Sequence, residues 1–245
     1  MLYIVNKTTS NRIQFIRLKE DKMLSFTSSL SPDSEAFAIF VTEKYEYKDK
    51  REILPKNIVQ KINSFIRVLK VKKSEDDINF FDISDKQKCF IIKVKKKYEN
   101  YIPQESGGAF FSYLKKLKNI NKIDLYSDSL NFEKEELVSF FSQFIFGFNL
   151  KSYTFNKYKT LNKGKIDKKI NFTIITSNKE KIEKKYKYYN AIKEGVFLSR
   201  DLVSEPPNVL NPKTYVREIQ KLSKLGLKIK SYNEKELRKL GLNAL

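Results

Sequence analysis

Short apolar runs alternate with stretches of helical periodicity through the first 150 residues of the chain. The runs "LYIV" (2–5), "IQFIRL" (13–18), "AFAIFV" (36–41), "INFFDI" (78–83) and "CFIIKV" (89–94) are of strand length and rich in β-branched and aromatic residues. Between them, "PKNIVQKINSFIRVL" places Ile58, Ile62, Phe65, Ile66 and Leu69 on one helical face, with Pro55 just upstream as a start signal. "PQESGGAFFSYLKKLK" reads as a loop leading into a helix through Phe110, Phe111, Leu114 and Leu117. "KIDLYS" is then a strand, and "NFEKEELVSFFSQFIFGFNL" a strongly apolar helix from about Glu133, closed by Gly147. Strands separated by helices predict a mostly parallel or mixed sheet covered on both faces.

The pattern changes after residue 150. "TFNKYKTLNKGKIDKK" offers almost no core and reads as an exposed connection, followed by one more β-branched strand, "INFTIITS". From about Asn178 a long helix begins, with Ile182, Tyr186, Tyr189, Ile192 and Val196 at steps of three or four along one stripe. Pro206 and Pro207 end it, because each lacks an N–H donor and disfavours helix in the preceding residue. Asn211-Pro212 opens another helix, which Gly226 closes. The strand "LKIKSY" and a short helix "NEKELRKLG", N-capped by Asn233, follow. The final "LNAL" reads as the start of a further strand, so the sequence predicts a chain that stops inside an element.

Composition narrows the class. Hydrophobic residues at 40% and aromatics at 13% describe a globular chain long enough to bury a core. No window approaches the apolar length of a membrane span, and the N-terminus lacks a basic head followed by an apolar run. The single cysteine, Cys89, sits inside an apolar run and reads as a buried strand residue of a protein in a reducing compartment. A net charge of +20 invites a nucleic-acid partner, but only seven of the 49 basic residues are arginine, the residue whose planar fork recognises bases and phosphates. Enrichment in Lys together with Asn, Ile, Phe and Tyr follows from AT-rich codons, so the charge reads as a solvated surface.

Candidates for local chemistry are few. With no histidine, neither Ser-His-Asp nor Cys-His catalysis is available. The acidic clusters are Ser74-Glu75-Asp76-Asp77 and Glu133, Glu135 and Glu136; each is one local run, whereas a pair of hard cations needs oxygens converging from several elements. The second cluster opens a helix, where carboxylates meet the positive end of the dipole. "SGGAF" (106–110) offers either a tight turn or, as the lesser reading, backbone N–H groups for an anion. The Tyr-rich "KKYKYYN" fits a half-buried connector helix better than a base-stacking platform.

Two separated segments carry a family resemblance. "GVFLSRDLVSEPPNVLNPKTY" resembles the start of the catalytic domain of the leucyl (cytosol) aminopeptidases through Arg200, Asp201, Leu202, Val203, Pro207, Asn208, Leu210 and Pro212. Upstream, "FGFNLKSYTFNKYKT" is similar to a family segment through Gly147, Leu150, Tyr153, Phe155, Tyr158 and Lys159. Ser204 stands where the family usually has Asn, and "CFIIKVKKKYEN" lacks the Gly-Leu-Gly that often follows in relatives.

The resemblance implies an α/β chain with a macro-like N-terminal domain over residues 1–170, a strand and connector helix over 171–203, and an incomplete beginning of the catalytic domain over 204–245. Macro folds bind nucleotide-like ligands elsewhere. It further implies a cytoplasmic, hexameric enzyme that removes N-terminal residues from peptides with two divalent ions, manganese or zinc. Those ions polarise the scissile carbonyl and generate the attacking hydroxide. The family's metal ligands and catalytic residues lie beyond the matched segments. No residue here is therefore assigned a catalytic, metal-binding or cofactor-binding role, and the chain alone is expected to be inactive. Arg200 and Asp201 are read as scaffolding at the domain junction. The alternative is a non-catalytic assembly or nucleic-acid-binding module from a truncated or split gene.

Overall fold

A computed structural model describes residues 3–5, 24–31, 34–49, 51–97, 100–117, 119–160 and 169–242. The chain divides into two compact units, one of residues 21–197 and one of residues 1–20 together with 198–245. The expected strand at 13–18 and the final 243–245 lie outside the described residues.

In chain order the elements are β1 (Tyr3–Val5), β2 (Leu24–Thr27), β3 (Ala36–Val41), α1 (Lys56–Val71), β4 (Ile78–Ser84) and β5 (Gln87–Lys93). After the two-residue strands β6 (Lys96–Lys97) and β7 (Asn100–Tyr101) come α2 (Pro103–Lys116), β8 (Lys122–Tyr126), α3 (Lys134–Lys151), β9 (Asn171–Ile175) and α4 (Lys179–Ser204). The chain continues with α5 (Pro212–Gln220), β10 (Lys228–Lys230) and α6 (Glu234–Lys239).

The larger unit is built on a six-stranded sheet of order β2-β9-β8-β3-β5-β4. The first five strands are mutually parallel, and β4 closes one edge antiparallel to β5. This is the mixed sheet that the alternation of strands and helices predicts. Strand β3, "AFAIFV", lies in the middle and is buried at every position, which is why its sequence is a continuous apolar run. Its alternate residues feed two cores. Ala36, Ala38 and Phe40 face α2, α3 and the start of α4, while Phe37, Ile39 and Val41 face α1 through Ile62, Ile66 and Leu69. Helices thus cover both faces.

Helix α3 is buried on nearly all sides, so its apolar residues show no single stripe; Phe140, Phe141 and Phe144 all meet Phe40 edge-on. Two expectations are corrected in this layer. "SGGAF" is neither a turn nor an anion loop: it lies inside α2, which begins at Pro103. Gly147 does not close α3, which runs on to Lys151. Both glycines mark a close helix–helix approach. A Cβ at Gly107 would stand 2.0 Å from the Phe144 carbonyl oxygen, and one at Gly147 would stand 2.0 Å from the Gln104 carbonyl oxygen.

The smaller unit contains the antiparallel pair β1–β10, with Tyr3 opposite Lys230. Here the start and stop signals act as the sequence predicts. Helix α4 ends at Ser204, before Pro206. Asn211 caps α5 by accepting from the Lys213 and Thr214 amides, and Gly226, at φ 84°, ends the 3₁₀ turn that follows α5. Asn233 caps α6 in a reciprocal box with Glu236. Among the described residues of this unit only Ile219 joins the buried apolar set, and Val203 is 86% exposed.

Candidate functional site

The carboxyl ends of β3, β8 and β9 gather the polar residues of the larger unit. Chain leaving β3 passes to α1 on one face of the sheet, while chain leaving the adjacent β8 passes to α3 on the other. Such a divergence between neighbouring parallel strands opens a crevice where α/β proteins commonly place ligands. Here the crevice is a cleft of about 440 Å³.

A 3₁₀ turn, Ser127–Ser129, follows β8 directly and finishes the sheet. The β3–β8 ladder stops at Ile39 opposite Tyr126, and the Ser129 hydroxyl serves the next residue instead. Ser129 Oγ accepts from the Phe40 amide at 2.8 Å and lies 3.2 Å from the Phe40 carbonyl. Ser127 Oγ also lies 3.1 Å from the Ile175 carbonyl, where β8 meets the end of β9. Between them, buried Asp128 is the hub. Its Oδ1 accepts from Ser127 Oγ at 2.9 Å and Thr176 Oγ1 at 3.2 Å, and its Oδ2 from the Ser177 amide at 2.8 Å. Arg51, from the loop after β3, completes the set with Nη1 3.4 Å from Oδ2, while its Nη2 donates to the Ser28 carbonyl at 2.6 Å. A buried carboxylate persists only when paired and hydrogen-bonded in this way. The remaining lining mixes apolar residues, Leu130, Phe132 and Leu137, with polar ones, Glu133, Lys134 and Asn178.

Four further titratable groups lie in or beside the sheet. Tyr126 donates to Asp49 Oδ1 at 2.6 Å; burial, reinforced by that carboxylate, pushes its hydroxyl pKa far above the ordinary phenol range. Tyr47 is pushed up to about 12, first by burial and then by Asp49. Asp124, in the middle of β8, has its pKa raised by burial despite accepting from the Ser31 amide at 2.7 Å. Burial also holds the Cys89 thiol well above its ordinary value, as suits an inert strand residue.

The residues singled out from sequence are dispersed. The 74–77 cluster is a loop in which Asp77 pairs with Lys95 at 2.6 Å and the Ser74 carbonyl accepts from Tyr45 and Lys93. Glu135 and Glu136 lie in the first turn of α3, Glu135 pairing with Lys181, and only Glu133 reaches the cleft. Arg200 and Asp201 stand exposed near the end of α4. In "KKYKYYN", Tyr186 is buried and accepts from Asn149 Nδ2, Tyr189 packs on Phe146, and Tyr188 faces solvent. From the upstream family segment, Tyr153 packs on Phe197 and Phe155 on Tyr158. Sequence reading missed the Arg51–Asp128 hub, although polar "SDS" set directly after the strand "KIDLY" is the signal that marks it.

Among the described residues no group of three or more His, Cys, Asp or Glu side chains is placed to hold a metal ion. They do not fit the metal pair that the resemblance implies, and no hydrolytic step through a metal is derived for them. No described helix is long and apolar enough to cross a membrane.

No protein-family model matches the chain. A probable cytosol aminopeptidase of Agrobacterium fabrum is 38% identical over 143 residues, 57% of this chain and 28% of that protein. A probable cytosol aminopeptidase of Phytoplasma mali is 30% identical over 227 residues, 90% of this chain and 44% of its own length. The chain belongs to the cytosol aminopeptidase family. It spans less than half the length of these relatives. A solved structure of a tomato leucine aminopeptidase mutant superposes with a TM-score of 0.68 at 16% identity, covering 89% of this chain and 45% of that one, which supports a shared fold.

Proposed function

We propose that this chain is the N-terminal, non-catalytic portion of a cytoplasmic leucyl aminopeptidase. The complete enzyme would remove N-terminal residues from peptides with two divalent ions, manganese or zinc, and assemble as a hexamer. The observation that carries this reading is the relative that matches 90% of this chain but only 44% of its own length. On this reading the larger α/β unit is a macro-like assembly or regulatory domain, α4 is the connector, and residues from 204 onward begin the catalytic domain. The Pro206-Pro207 hinge then orients a catalytic sheet without contributing to the chemistry.

Two measurements test the proposal. In the source cell, an antibody against the larger unit should detect a band well above the 29.0 kDa of this chain. The purified chain should not hydrolyse a leucine anilide with added Mn²⁺ or Zn²⁺. A band at 29.0 kDa would refute the role as part of a complete enzyme. Metal-dependent hydrolysis that co-purifies with the chain would refute the absence of catalytic groups.

A further inference from the structure

We propose that the cleft at the carboxyl ends of β3, β8 and β9 binds a free apolar L-amino acid. Its carboxylate would lie on Arg51 and Lys134, its ammonium on Glu133, and its side chain against Phe132 and Leu137. The volume, about 440 Å³, falls within the range of about 300–1,000 Å³ typical of small-molecule sites.

The charges select the ligand. Asp128 lines the cleft but is satisfied from within, its two oxygens engaged by Ser127, Thr176, Ser177 and Arg51. Arg51 spends two contacts on Asp128 and Ser28 and keeps other donors of its fork for a carboxylate. Lys134 adds a second cation and Glu133 an anion to the same lining. The lining of the cleft thus offers both signs of charge together with an aromatic ring and aliphatic carbon. A bare anion would leave Glu133 opposed and the apolar lining unused. A simple apolar molecule would leave the cations unpaired. A zwitterion with an apolar side chain satisfies both the charged and the apolar lining.

The choice of amino acids over other zwitterions rests on the aminopeptidase reading, since free amino acids are that reaction's product. The cleft would then report product to the enzyme. Binding itself is tested without any peptidase activity, so the two readings fail separately. Calorimetric titration of the purified chain with L-leucine should give saturable binding. Leucinamide, which lacks the carboxylate, should bind about tenfold or more weakly, in line with loss of a charge-assisted pair. Lys134→Glu, an exposed change that leaves the core intact, should weaken leucine by a similar factor, and Arg51→Met should abolish binding. Equal affinity for leucinamide, an unchanged affinity in Lys134→Glu, or absence of saturable binding would overturn the proposal. Binding of AMP or inorganic phosphate in place of leucine would also overturn it, in favour of an anion site.

Discussion

Alanine placed at Gly147 should destabilise the protein, while the same change at Gly195 should stabilise it. Both glycines lie inside α-helices, where Gly→Ala is worth about 1 kcal/mol in favour of alanine when the new methyl meets nothing. At Gly195 nothing lies within 4 Å of the added Cβ. At Gly147 the Cβ would stand 2.0 Å from the Gln104 carbonyl oxygen, with the Gln104 carbonyl carbon at 2.6 Å and its Cα at 2.7 Å. These are backbone atoms of α2, so no side chain can swing aside, and relief to about 3.4 Å requires the two helices to part by more than an ångström. A gap of about 0.5–1 Å forfeits a quarter to a half of each contact's attraction. The contacts at stake include the rings of Phe110, Phe111, Phe144 and Phe148, which meet across this interface. Overpacking strain of about 1–3 kcal/mol adds to that loss, so after the propensity gain the net cost should be about 2–4 kcal/mol. For a chain of this size that is a fall in Tm of about 4–16 °C. Urea unfolding followed by circular dichroism measures both variants. A Gly147→Ala protein as stable as the parent, or a clearly destabilised Gly195→Ala protein, would refute the assignment of Gly147 to a backbone contact.

Three further outcomes are expected. Ser129→Ala strips the Phe40 amide of its partner inside the core and should cost about 1–3 kcal/mol, read from the urea midpoint. Asp124 has a native pKa raised above its unfolded value, so the folded chain binds the extra proton, and this residue's contribution to stability falls as pH rises through the window between the two. The stability of Asp124→Asn relative to the parent should therefore improve from about pH 3.5 to pH 7; a constant difference would exclude a desolvated carboxylate. Cys89, at 0% exposure, should react with a thiol reagent only as fast as the protein unfolds, and prompt labelling of native protein would contradict its burial.

Elements specified by their own residues were legible in the sequence. Strand β3 announced itself as an unbroken apolar run, α1 as a stripe through Ile62, Ile66 and Leu69, and α5 and α6 through Asn211 and Asn233. Features that exist only through a distant partner were not. Gly107 and Gly147 read as turn and terminus because glycine ordinarily breaks helices; only the α2–α3 crossing shows why they are helical. Strand β2, four residues long, carries little periodic signal and is fixed by its pairing with β9. The cleft draws on Arg51 and Asp128, 77 positions apart, and on Ser177 after β9, an association that sheet order creates and local pattern cannot. The family segments were legible as residues, yet their contacts, such as Tyr153 on Phe197, needed the fold.

The pairing of Tyr3 with Lys230 sets a timetable for biosynthesis. Closing a flexible loop of that length costs about 5 kcal/mol of chain entropy. At about 5–20 residues per second, on the order of ten to fifty seconds separate the emergence of β1 from that of its partner strand. During that interval the larger unit, whose described strands fall between Leu24 and Ile175, has its six-stranded sheet available to assemble. Strand β1 is therefore made before the other described elements and waits for β10, and in that interval its unpaired edge is where a nascent-chain chaperone would find this protein.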